Sequence, residues 1–257
     1  MDEGVKRVPI DTISDYCDRL LQVREIEDWS GAVNGLQVQN RNGVAHVAAA
    51  VDASLATVKK AVALGADLLL VHHGLFWAPK HPWTGNTYDL IEILVEAGLG
   101  VYSAHLPLDV HPRYGNNALL TKALGGRQAK PFFFDRGRHL GLRVTMNLSR
   151  SDLIRRVASV LGGDPVLLPG GPKRCRSIGI VTGGAGAELR IAAREGVDTF
   201  ITGEGPHWTY ALAEEEGINV IYGGHYATET FGVRRLAEHL AKKFRIQSSF
   251  IDHPTGL

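Results

Sequence analysis

The apolar positions fall into two alternating periods along the chain. From Asp11 to Val23 the apolar residues Ile13, Tyr16, Cys17, Leu20 and Leu21 recur at helical spacing. A turn-rich connector, DWSGAVNGLQVQNRNG, follows. Val47–Val51 then reads as a short apolar strand, and Ser54 as the N-cap of a helix with Leu55, Val58 and Val62 on one face, stopped by Gly65. Leu68–Val71 is a continuous apolar run, the pattern of a strand covered on both faces, and it ends abruptly in His72-His73-Gly74. A helix over Tyr88–Ala97 and a strand over Gly100–Ala104 lead to His105-Leu-Pro-Leu-Asp109, where Pro107 and Pro112 argue against a regular helix. Beyond it the pattern predicts a helix at Asn117–Leu124, strands at Phe132–Phe134 and Leu140–Met146, and a helix capped by Ser151 and running to Leu161. The last third predicts strands at Ser177–Val181, Thr199–Thr202, Asn219–Tyr222 and Gln247–Ile251, separated by helices at Ala187–Glu195, Tyr210–Glu216 and Thr228–Phe244. This alternation predicts α/β layers with largely parallel sheets, whose ligand sites lie beyond the carboxyl ends of the strands.

The pattern repeats. Residues 47–77 align without a gap on 178–208, placing Gly65 on Gly196, Asp67 on Asp198, Gly74 on Gly205 and Trp77 on Trp208. His72-His73 falls on Gly203-Glu204. A second echo sets Tyr102-Ser-Ala-His105-x-x-x-Asp109 against Tyr222-Gly-Gly-His225-x-x-x-Glu229. The expected fold is two similar α/β domains produced by an internal duplication, residues 1–127 and 128–257, with the boundary between the Gly125-Gly126 turn and Pro131 and a shared metal site in the cleft.

Composition narrows the function classes only by exclusion. The formal net charge of +1 and the absence of a basic run give no support to nucleic acid as an obligate partner. Two cysteines in dissimilar contexts fit a reducing compartment. The opening MDEGVKRVPIDTI shows no apolar leader, and no apolar run approaches a membrane span, so the expected location is the cytoplasm.

Candidate chemistry gathers at the predicted strand ends. Just past its strand, with Gly74 freeing the turn, the pair His72-His73 can reach two neighbouring ions, or can simply be hydrogen-bonded at a loop entrance. His225 and Glu229, four residues apart on a helix, face one way and suit one ion or adjacent ions; the alternative is a solvated helix face. Asp109 is a further carboxylate candidate, or a turn residue. His105 is open between ligand, proton shuttle and core histidine, with duty behind the ligands or in acid–base chemistry ahead. Glu204 can hydrogen-bond a ligand histidine or move protons, or serve as a favourable charge at a helix start. Asp52 is a weaker candidate. Gly183-Gly184-Ala185-Gly186 lacks the Lys-Ser/Thr of a nucleotide phosphate loop. Mixed imidazole and carboxylate donors suit Zn, Mn, Fe or Co better than Ca or Mg. A pair of such ions generates a hydroxide nucleophile near neutral pH and clamps an oxyanion.

The segments VHHGLFW (71–77), YSAHLPLDV (102–110), DTFITGEGPHW (198–208), GGHYATETFGVR (223–234) and FIDHP (250–254) resemble the NIF-three-like (YbgI-like) family, the GTP cyclohydrolase 1 type 2 homologues, over almost the whole chain. The resemblance implies two α/β domains, a dinuclear metal site between them and a toroidal homohexamer. By motif it makes His72, His73, Asp109, His225 and Glu229 the metal ligands. Two departures stand out. AVNGLQV replaces the family's Trp-Asp-Asn-x-Gly-Leu string, and His207-Trp208 stands where a His pair is frequent. The large inserted domain of longer members is missing as well.

The implied function is a hydrolase with two divalent ions that opens a purine ring of a nucleotide such as GTP, with His105 or Glu204 moving protons. The alternatives are phosphoester or nucleotide hydrolysis, and a metal-binding, metal-trafficking or scaffold protein without turnover. A concentration of Leu75, Phe76, Trp77 and Trp83 in the loop GLFWAPKHPWTG is costly to expose. It is therefore expected to be covered by the other half or by a neighbouring subunit of a homo-oligomer.

Overall fold

The computed structural model describes residues 6–77 and 82–257. The first five residues of the opening segment, and residues 78–81 of the apolar loop, lie outside the described residues. The elements in chain order are α1 (Ile10–Leu21), β1 (Gly35–Val38), β2 (His46–Asp52), α2 (Leu55–Ala63), β3 (Leu68–His73), α3 (Asn86–Ala97), β4 (Gly100–Ser103), α4 (Leu106–Asp109) and α5 (Asn116–Ala123). There follow β5 (Lys130–Asp135), β6 (Arg138–Ser149), α6 (Arg150–Leu161), β7 (Val166–Pro169), β8 (Arg174–Ile180), a 3-10 turn (Ala185–Glu188) and α7 (Leu189–Arg194). The chain closes with β9 (Thr199–Thr202), α8 (Thr209–Glu216), β10 (Asn219–Tyr222), α9 (His225–Phe244) and β11 (Gln247–Phe250). Among the described residues no helix is long and apolar enough to cross a membrane.

Two compact α/β units result. The first runs to Leu108 and takes in Gly232–His253; the second is Asp109–Phe231 with Pro254–Leu257. The division differs from the sequence halves 1–127 and 128–257 for two reasons. β11 pairs with β2 of the first sheet. Leu120 and Leu124, from α5 and its cap, sit in the second core with Val144, Val157 and Ile201.

In the first unit the strand order is β1-β4-β3-β2-β11. Four strands are parallel, and β1 is an antiparallel edge paired to β4. Leu68, Leu69, Leu70 and Val71 are at most 1% exposed, which explains the unbroken apolar run of β3. α2 is capped by Ser54, as its sequence predicts, and the Thr57 hydroxyl completes a capping box. In the second unit the order is β5-β6-β8-β9-β10-β7. β8, β9 and β10 are parallel, and β5, β6 and β7 run antiparallel to their neighbours. The first sheet is thus largely parallel, as expected, and the second is mixed. The N-cap of α6 is Ser149, whose hydroxyl accepts the Asp152 N–H, and Ser151 lies inside the helix. The segment after His105 does form a helix, of one turn, with Pro107 early enough to need no N–H bond.

The duplication is visible in hydrogen bonds. One carboxylate oxygen of Asp67 accepts the N–H groups of Ala45 and His46 at 2.8 and 3.0 Å. The matching oxygen of Asp198 accepts those of Arg176 and Ser177 at 2.8 and 2.9 Å. Each aspartate ties the start of one strand to the start of the next, and the carboxyl ends of those strands carry the candidate chemistry.

Candidate metal centre

In the first unit, His72 and His73 are the last residues of β3 rather than residues beyond it. The ladder runs up to them: the Ala104 N–H reaches the Val71 carbonyl and the Ala53 N–H the His73 carbonyl. His72 is fully buried, and its Nδ1–H donates to the Ala104 carbonyl at 2.8 Å. His73 lies opposite Asp52 in the register of β2 and β3 and donates from Nδ1 to the Asp52 carboxylate at 2.8 Å. His105, just past β4, donates from Nδ1 to Asp28 at 2.8 Å. The donor atoms of His72, His73 and His105 all lie within 4.8 Å of one another. With each Nδ1 given to an oxygen, each ring keeps Nε2 as its ligating or proton-accepting atom. An imidazole oriented by a carboxylate or carbonyl is the usual support of a metal-binding histidine.

Asp28 is the residue that sequence reasoning missed. Its Oδ1 accepts the His105 Nδ1–H and the Trp29 N–H, and its Oδ2 accepts the Asn34 amide and the Leu106 N–H. Asn34 in turn takes the His105 N–H at 2.7 Å. Burial opposes ionisation of Asp28, but the bonds from His105, Asn34 and Trp29 prevail and hold its carboxyl below the usual carboxylate range. Both residues lie in the turn-rich DWSGAVN connector, and Asn34 falls within AVNGLQV, the stretch that departs from the family string. A carboxylate and an amide six residues apart in a turn-rich segment were the available signal.

In the second unit, α9 begins at His225, so His225 and Glu229 occupy its first two turns. The His225 Nδ1–H donates to Glu204 at 2.7 Å, and its Nε2 lies 3.2 Å from the Glu229 carboxylate. Burial works against the imidazolium, yet Glu229 and then Glu204 outweigh it and raise the His225 pKa to about 9. Two carboxylates around one ring make a locus of negative potential that a cation would also occupy. Glu229 is 2% exposed.

The glycine loop is a wall of this half-site. A Cβ on Gly183, at φ +73°, would sit 2.2 Å from Glu229 Oε1 and 3.3 Å from His225 Nε2. The Gly183 carbonyl accepts the N–H groups of Gly203 and Glu204, so this one residue sets the position of Glu204 as well. Asp109, 5% exposed, has its Oδ1 held by the Asn116 amide at 2.8 Å and the Thr182 hydroxyl at 3.3 Å.

The two strand-end clusters therefore offer different parts of a transition-metal donor set: the first, three imidazoles each oriented by a protein oxygen; the second, an imidazole beside a buried carboxylate with a glycine leaving room for them. Fold and donors together define a class, a duplicated α/β protein with histidine–carboxylate clusters of metal-holding type. Within that class the chain belongs to the Duf34/NIF3 (NGG1p interacting factor 3) family, which it matches over residues 8–255. It is 43% identical to a GTP cyclohydrolase 1 type 2 homolog of Halobacterium salinarum, over 96% of this chain and 98% of that protein. A homolog of the same name from Deinococcus radiodurans is 40% identical, over 88% of this chain and 87% of that protein. Among solved structures it is similar to TTHA1606 from Thermus thermophilus, with 36% identity, a TM-score of 0.89 and coverage of 97% of this chain and 100% of that one. It is also similar to protein ybgI, described as of unknown function, with 33% identity, a TM-score of 0.90 and the same coverage.

Proposed function

We propose that the protein is a hydrolase dependent on two divalent transition-metal ions and acting on a nucleotide such as GTP, by opening its purine ring. His72, His73 and Asp109 from the first repeat, with His225 and Glu229 from the second, are the ligands in this reading. The observation that carries it is the shared state of the four histidines, His72, His73, His105 and His225: each gives its Nδ1–H to a protein oxygen. Hydrogen-bonded core histidines need no such uniformity, whereas ligands and proton carriers need a fixed Nε2. The names of the relatives support the nucleotide.

Zn, Mn, Fe or Co, when bound to such donors, polarise a substrate oxygen and activate water. The chain's own residues supply orientation and proton handling. Asp28 fixes His105 so that its Nε2 accepts a proton from the attacking water and returns it to the leaving nitrogen. Glu204 steadies His225, while Asp52 does the same for His73. The toroidal hexamer is part of this proposal and is checked by sedimentation.

The test is a product screen over nucleoside triphosphates with metal-loaded and chelated protein. Metal-dependent release of a ring-opened product supports the proposal. Release of phosphate alone selects phosphoester hydrolysis, and metal retention without any product selects a binding or trafficking protein.

A further inference from the structure

The first unit has a groove of about 1020 Å³ that no part of the proposed metal chemistry uses. Its apolar lining includes Leu75, Phe76, Trp77, Trp83, Leu90 and Ile91, with Ser30, Asn86 and Thr87 as polar points. Three of the lining aromatics are left open: Phe76 and Trp77 are 40% exposed and Trp83 is 58% exposed. One lining residue of the groove, Trp77, also touches the histidine cluster. The Trp77 ring stands edge-on to His105 with centroids 4.5 Å apart, and lies 5.3 Å from His73.

We propose that this groove seats the planar ring of the substrate, a nucleobase or similar fused aromatic heterocycle, with Trp77 and Trp83 as its stacking surface. The inference rests on the hydrolase reading and adds to it the groups that select the substrate. The size of the groove is that of a small-molecule site, apolar with a few hydrogen-bonding groups at its edge. Indole faces bind flat π-systems of any base, and the amide and hydroxyls of Asn86, Thr87 and Ser30 provide the directional bonds. Trp77 is shared between groove and cluster, so a ring stacked there has one edge at His105 and His73. That placement suits chemistry on the ring. A site for chemistry on a phosphate chain would put the base further from the imidazoles.

The experiment is calorimetric titration of the full chain with guanosine, adenosine and ribose 5-phosphate, both metal-loaded and after chelation. Guanosine or adenosine binding in both states, with none for ribose 5-phosphate, is the expected result. Trp83→Ala, an exposed position that leaves the core intact, should weaken nucleoside binding about tenfold or more, and Trp83→Phe should recover most of it. Metal content, measured on the same samples, should be unchanged by either substitution. Equal binding of ribose 5-phosphate, or nucleoside binding indifferent to Trp83→Ala, overturns the proposal while leaving the metal reading intact. Loss of the metal reading would show instead as an absence of bound metal. Conversion of an oligomer to monomers by Trp83→Ala, in sedimentation, would also overturn it, since the groove would then be a contact between copies.

Discussion

Asp28→Asn tests whether the connector controls His105. The substitution keeps shape and replaces one carboxylate oxygen by an NH₂ group. If that group takes the Oδ1 place, it faces the His105 Nδ1–H and the Trp29 N–H, both donors. The imidazole must then move its proton to Nε2, which removes the lone pair from the cluster side. If it takes the Oδ2 place, it faces the Asn34 amide and the Leu106 N–H. Asn34 cannot flip without losing its bond from the His105 N–H. Every arrangement leaves a donor unmet, at a cost of about 1–3 kcal/mol where that donor is buried. Loss of charge from the remaining bonds brings the expected destabilisation to roughly 2–4 kcal/mol. Metal affinity should fall about 10–100-fold, as for other groups that support a ligand shell. Because the Asp28 pKa is depressed, its stabilisation is present above the unfolded carboxylate pKa and is lost as pH falls through the folded one. The stability gap between wild type and Asp28→Asn should therefore be full at pH 7 and close in strong acid. Urea denaturation across pH, metal titration, and nitrogen chemical shifts of the His105 ring are the assays. Wild-type stability and an unchanged His105 tautomer in Asp28→Asn would refute the reasoning.

Other outcomes follow from the same geometry. Gly183→Ala places a methyl group 2.2 Å from Glu229 Oε1 at a left-handed φ, so metal occupancy and melting temperature should both fall; full occupancy would show that Gly183 does not shape the site. Asp109→Ala and Glu229→Ala should each lower occupancy, whereas Glu204→Gln and His105→Ala should lose no more than the roughly 10–100-fold typical of supporting groups. Complete metal loss in Glu204→Gln would make Glu204 a ligand. With the His225 pKa raised to about 9, the ring is protonated at pH 7, so loading a divalent cation should release about one proton and weaken as pH falls. Calorimetry in buffers of different ionisation enthalpy measures this, and a heat independent of buffer would contradict it.

The legible parts of the fold were those governed by local periodicity and by the repeat. Thr199–Thr202 and Asn219–Tyr222 emerge with the expected bounds because each is a short buried run between turn residues. β1 and β7 were not foreseen. Each is a four-residue edge strand in a Gly- or Pro-rich stretch, and its strand character comes from antiparallel pairing with β4 or β10. The start of α9 at His225 was hidden by the glycines before it. Of the candidate residues, His72, His73, His105, Asp109, Glu204, His225 and Glu229 stand out in the sequence because the duplication sets one copy beside the other. Asp28 has no counterpart in the repeat, and it reaches His105 across 77 residues of chain. Only the tertiary fold makes that pairing. The unit boundary was obscure for a similar reason, since the last strand returns to the first sheet.

The proposed centre holds two ions and takes ligands from both repeats. Elemental analysis of protein purified without chelator and dialysed against Zn or Mn tests it most directly, with His72→Ala and His225→Ala measured alongside. Wild type should hold close to two ions per chain and each variant should show a clear loss, although the two histidines come from different repeats. No bound metal in the reconstituted wild type, or full occupancy in both variants, would contradict it.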